Sequence, residues 1–68
     1  MSGPEQGSIA EAVEEGFGLI DPDRGPGPVG FRRSVFNHDW EQAAPGRRVR
    51  FTRRPAGDSN EAASVTLV

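Results

Sequence analysis

This chain has no cysteine and no lysine. Without cysteine, no disulfide can staple the fold and no thiolate can hold a metal. Without lysine, all fixed positive charge rests on eight arginines. Arginine offers a planar fork to phosphate and stacks on flat rings, which lysine does not. Arg-rich codon usage in a GC-rich genome explains the same bias equally well. No apolar run approaches the length needed to span a bilayer. The start, Met1-Ser2-Gly3-Pro4-Glu5, carries no basic residue and no apolar run comes after it, so a secretory leader is not expected. The expectation is a soluble cytoplasmic monomer with no membrane partner. Sixty-eight residues allow one small domain with a thin core.

The net charge of −2 conceals a segregation along the chain. Residues 1–23 hold six carboxylates and no arginine, whereas all eight arginines fall between Arg24 and Arg54, against only Asp39 and Glu41. The remaining stretch carries Asp58 and Glu61. An acidic whole argues against general polyanion affinity, which rests on phosphate neutralisation, but it leaves room for a local basic patch.

Catalytic and metal chemistry find little support. His38 and Asp39 are adjacent, with no third ligand near them in the sequence. Ser34 and His38 form no recognisable nucleophile–base pair and suit turns better. Gly25-Pro26-Gly27 precedes no helical pattern, so it reads as a turn and not a phosphate cradle. No cofactor, no metal and no enzymatic activity are expected.

Turn-rich linkers divide the chain into short alternating runs. Residues 1–6 read as a flexible tail. Ile9 to Glu15 is compatible with a marginal helix by propensity. A strand is preferred there as the hairpin partner of the β-patterned run beginning at Phe17, with Ile9, Glu11 and Val13 on one face. Phe17 to Asp21 reads as the second strand, and Asp21 to Pro28 as an exposed loop. Val29 to Arg33 alternates, with Val29, Phe31 and Arg33 on one side. Ser34-Val35-Phe36 suits a tight or helical turn, and Asn37 to Gly46 a longer loop. Arg47 to Arg54 alternates most clearly, with Val49 and Phe51 opposite Arg48, Arg50 and Thr52. Its arginines suit a solvated edge. Pro55 to Asn60 is a turn. The last run, Ala63 to Val68, buries Ala63, Val65 and Leu67. The pattern predicts an all-β fold, a small five-stranded antiparallel barrel.

Glu15-Gly16-Phe17-Gly18-Leu19-Ile20 is the most informative stretch. Alternation puts Phe17 and Leu19 on one face and Gly16, Gly18 and Ile20 on the other. Large apolar groups opposite glycines suit a surface that meets a flat ring, such as an unstacked base. These six residues resemble the first ribonucleoprotein motif, K-G-F-G-F-I, of the bacterial cold-shock domain. Glu15 stands for the usual Lys and Leu19 for the second Phe. Val29-Gly30-Phe31-Arg32-Arg33-Ser34 sits where the second motif, V-F-V-H-F-S, belongs. Pro45 to Phe51 resembles the family's G-x-x-V-x-F segment, and Glu61 to Val68 resembles its terminal Q-A-A-N-V-T-V-I. The resemblance spans residues 7–68 and implies an OB-type barrel.

By that resemblance, the domain binds single-stranded RNA or DNA with weak sequence preference. Phe17 and Trp40 would stack bases, Leu19 would pad the platform, and Arg32 and Arg33 would reach backbone or bases. The family's first-strand aromatics have no counterpart in Ala10-Glu11-Ala12-Val13. Gly30 replaces the first Phe of the second motif, Arg32 its His and Arg33 its second Phe. Each lost base–ring stack costs about 1–3 kcal/mol. Other roles stay open at this point: Phe17 covering the barrel wall, Trp40 capping the barrel, and Glu15 facing Arg32 across the sheet. The alternative function is a protein-interaction module on a cold-shock-like barrel whose nucleic-acid face has degraded; Glu11, Glu15 and the acidic first third favour it.

Overall fold

The computed structural model describes residues 4–54 and 60–68. Five strands form one antiparallel sheet: β1 (Glu5–Val13), β2 (Phe17–Pro22), β3 (Val29–Arg32), β4 (Arg48–Arg53) and β5 (Ala62–Leu67), in the order β3-β2-β1-β4-β5. Single 3₁₀ turns cover Arg33–Val35 and Trp40–Gln42. The sheet curls through 246° into a half-barrel of the OB type. Its two edges meet where the Gly30 N–H donates to the Asn60 carbonyl at 2.8 Å, and where Phe36 bridges to Val65. The all-β expectation is met.

The β1–β2 hairpin shows why Ile9 to Glu15 is not a helix. Ile9 pairs with Ile20 on β2, donates its N–H to the Arg47 carbonyl at 2.9 Å and accepts from the Gly46 N–H at 2.8 Å. A helix this short could not offset the loss of those bonds and of a buried Ile9. The turn spans Glu14, Glu15 and Gly16, and the Gly16 N–H donates to the Val13 carbonyl at 3.0 Å. Gly16 has φ +105°, as the last position of a three-residue hairpin loop favours. The strand also starts earlier than expected. Glu5 and Gln6 lie in β1, opposite Phe51 and Arg50, and not in a flexible tail. The Glu5 carboxylate fixes that start by pairing with Arg53 at 2.7 Å. Residues 1–3 lie outside the described residues, as do 55–59 of the expected turn.

Three departures from simple alternation have physical causes. Ile9 pairs with Ile20 but Glu11 pairs with Leu19, so Ala10 is an extra residue, a bulge. Beyond it the faces exchange. Ile9 is buried, while Glu11 and Val13 stand on the outer face and Ala12 packs against the core. Ile9, Glu11 and Val13 therefore do not share one face. A second shift lies between β4 and β5, where Thr52 pairs with Ser64 but Arg53 with Ala62. Ala62, not Ala63, is buried; Ala63 is exposed. Finally, β3 ends at Arg32, and Arg33 opens the first 3₁₀ turn as an exposed residue. It does not join Val29 and Phe31 inside.

The core comprises Ile9, Ile20, Val29, Phe31, Phe36, Val49, Phe51, Ala62 and Val65. Gly18 is one of the tightest points of its packing. It pairs with Phe31, and a Cβ on Gly18 would stand 2.9 Å from the Phe31 ring and 2.5 Å from the Glu11 carbonyl oxygen. Backbone cannot yield at that distance. At Gly30, on the outer face, a Cβ would meet only the Asn60 carbonyl at 3.7 Å. Gly18→Ala should therefore destabilise the domain by about 1–3 kcal/mol, the range for overpacking. Gly30→Ala should stay within about 0.5 kcal/mol of the parent. Urea unfolding followed by far-UV circular dichroism measures both.

Candidate nucleic-acid interface

Cross-strand pairing assembles the outer face of β1, β2 and β3 row by row. In one row Phe17 stands between Val13 on β1 and Arg32 on β3. In the next, Leu19 stands between Glu11 and Gly30. Phe17 is 55% exposed, and the only other exposed large apolar side chain among the described residues is the terminal Val68. The ring is outside because Gly18 and Ile20 are buried and side chains alternate across the strand. Leu19 is half-buried. Among the described residues, the Arg32 side chain forms no hydrogen bond or ion pair, and it is exposed. Phe17, Leu19, Arg32, Glu15 and Glu61 line one open depression.

Arg33 and Trp40 belong to a second depression, at the end of the barrel. The Trp40 indole N–H donates to the Val13 carbonyl at 2.8 Å. Its ring lies 5.5 Å from that of Phe31 and 5.6 Å from that of Phe36, the latter edge-on. Such geometries favour the ring quadrupoles. Trp40 is therefore a half-buried cap over the aromatic end of the core. Arg33 covers the outer side of that cap, with its guanidinium 5.8 Å from the Trp40 ring centroid. It also reaches the Glu14 carbonyl at 3.4 Å, and its own N–H donates to the Gly16 carbonyl at 2.7 Å. The structure thus brings Phe17, Leu19 and Arg32 together and places Arg33 with Trp40 around the hairpin end.

Acidic groups surround the ring. Glu11 faces Leu19, and Glu15 lies in the hairpin turn. Glu15 does not face Arg32: the residue across from Arg32 is Phe17, and no ion pair joins the two charges. Glu61 is neutralised by Arg54 at 2.7 Å. On β4, Arg48 forks onto Asp23 with bonds of 2.9 and 2.5 Å and also donates to the Ser8 hydroxyl at 3.0 Å. That hydrogen bond holds the Asp23 carboxyl below its usual range and raises the Arg48 guanidinium further. Because the folded state depresses Asp23, the pair's small contribution is present above the ordinary aspartate range and fades as pH falls through the lowered one. Arg53 forks onto Glu5 and lies 5.7 Å from the Phe51 ring centroid. Arg48, Arg53 and Arg54 are thereby bound internally. Arg24, Arg32, Arg47 and Arg50 are exposed and carry no side-chain hydrogen bond or ion pair among the described residues.

Val13 and Glu61 are parts of this surface that alternation did not single out. Val13 could be found by counting back from Gly16, since a three-residue loop puts it opposite Phe17. Glu61 arrives only through sheet closure, at its bridge to Gly30. Among the described residues, no group of three His, Asp or Glu side chains could hold a metal ion. Among the same residues, no helix is long and apolar enough to cross a membrane. Neither a protein-family model nor a curated protein matches this chain. The fold is that of an OB-type barrel, consistent in general with nucleic-acid binding.

The two rings should separate in their effects on stability. Trp40→Ala should cost about 2–4 kcal/mol, below the full aromatic-to-alanine range because the ring is only half-buried. Phe17→Ala should stay within about 0.5 kcal/mol, as for an exposed position. Thermal and urea melts of the two variants test this.

Proposed function

We propose that this domain binds single-stranded RNA or DNA on the outer face of β1, β2 and β3, as a cold-shock-like module in a reduced form. The observation that carries the reading is the exposed Phe17 ring beside an Arg32 that has no internal partner among the described residues. A base stacks on Phe17, with Leu19 and Val13 as apolar floor. Arg32 meets a phosphate or the face of the neighbouring base. Trp40 and Arg33 form the far margin, where Trp40 acts first as a structural cap. A single exposed ring with one uncommitted guanidinium beside it makes for modest affinity and little dependence on sequence.

The test is a titration with short single-stranded oligonucleotides, followed by amide chemical shifts at low salt. Shifts are expected at Phe17, Leu19, Gly30 and Arg32. Phe17→Ala should weaken binding roughly 5- to 150-fold, the loss of one base–ring stack. Affinity should fall with salt along a shallow slope of about −0.7 to −1.4, for one or two phosphates neutralised. No response to any oligonucleotide at low salt would overturn the reading. The second reading, a protein-binding face, draws on Glu11 opposite Leu19 and Glu15 beside Phe17, which suit a basic protein segment; it would then take precedence.

A further inference from the structure

The platform is asymmetric in charge across its strands. On the β3 side stands Arg32, opposite Phe17. On the β1 side stands Glu11, opposite Leu19, and the hairpin end carries Glu15, in the same depression as the ring. The Glu11 and Glu15 side chains are exposed and form no hydrogen bond or ion pair among the described residues. Glu61, the other carboxylate of the depression, is neutralised by Arg54. A nucleotide on Phe17 therefore meets a cation on one flank and carboxylates without internal partners on the other.

From this asymmetry we infer that Glu15 and Glu11 read the edge of the base stacked on Phe17 and select guanine there. The inference rests on the nucleic-acid reading given above. Phosphates, repelled by the carboxylates, run on the β3 side near Arg32. The base edge is then turned toward β1 and the hairpin. An ionised carboxylate has only acceptors to offer. Guanine presents two adjacent donors, N1–H and the N2 amino group, which match the two oxygens of one carboxylate. Cytosine and adenine each offer one amino group beside an acceptor nitrogen. Thymine and uracil offer one N–H flanked by two carbonyls that repel the carboxylate. Single-stranded bases are open to such reading on their Watson–Crick edge. The order is guanine first, cytosine and adenine next, and thymine or uracil last.

Four heptamers differing only at the centre of a thymidine background test this. A central guanine should bind roughly 5- to 10-fold more tightly than the all-thymidine heptamer, the low end for a bidentate contact because the site is open to water. Inosine, which lacks the N2 amino group, should lose most of that gain. The double variant Glu11→Gln, Glu15→Gln should bind the all-thymidine heptamer more tightly than the parent and lose the guanine preference. A merely structural role for the two residues would not produce that exchange. Equal or tighter binding of the all-thymidine heptamer by the parent, or a guanine preference that survives in the double variant, would overturn the inference. In that case, binding of thymidine heptamers that remains sensitive to Phe17→Ala would leave the nucleic-acid reading standing. Absence of binding to all four heptamers would remove both.

Discussion

The Phe31 ring occupies the space that Gly18 leaves empty, and most of this small domain depends on that contact. Gly18 and Phe31 are cross-strand partners on β2 and β3, at one edge of the sheet. With no side chain on β2 at that point, an aromatic ring can lie flat against the strand inside a thin barrel. Phe36 and Trp40 then build outward from Phe31 to close one end. Trp40 anchors that end to the Val13 carbonyl, at the mouth of the β1–β2 hairpin. Inside a close-packed core no other residue could replace Gly18 without moving backbone.

The same contact sets the outer face. With Gly18 and Ile20 inward, Phe17 and Leu19 must point out, because strand side chains alternate. A ring held outside on a rigid sheet loses little entropy when it stacks on something flat. The surrounding charges set the electrostatic character of that face. Arg48, Arg53 and Arg54 are committed to Asp23, Glu5 and Glu61. These pairs are exposed or partly so and add little stability individually. Their larger effect is to remove cations from the surface. Arg32 is left beside Phe17, with the hairpin carboxylate Glu15 bordering the same depression.

The five strands and the outward Phe17 were legible from local patterning, because each depends on alternation; the turn at Gly16 was not, since Gly16 read as part of the strand that begins at Glu15. Val49, Phe51, Val29 and Phe31 were placed inside for the same reason. The failures cluster where one residue was inserted into a ladder. Ala10 and Ala63 carry no local mark as bulges. Alanine fits either face, so neither hydropathy nor propensity identifies the extra residue. Each error moved the residues beyond it to the wrong side, as with Glu11 and Ala62.

Trp40 and the arginines show the other limit. A tryptophan in a loop near charged residues is compatible with stacking on a ligand or with capping its own core, and composition does not separate the two. The contact between Trp40 and Val13 spans 27 positions, so only folding brings them together. Likewise Glu5 meets Arg53 across 48 positions. Fold class and the exposed ring were written into short stretches of chain, where period and turn chemistry suffice. Which cations remained uncommitted, which tryptophan face was covered and which carboxylates bordered the ring depended on pairing between distant strands. Register and bulges govern that pairing, and neither is a property of any single segment.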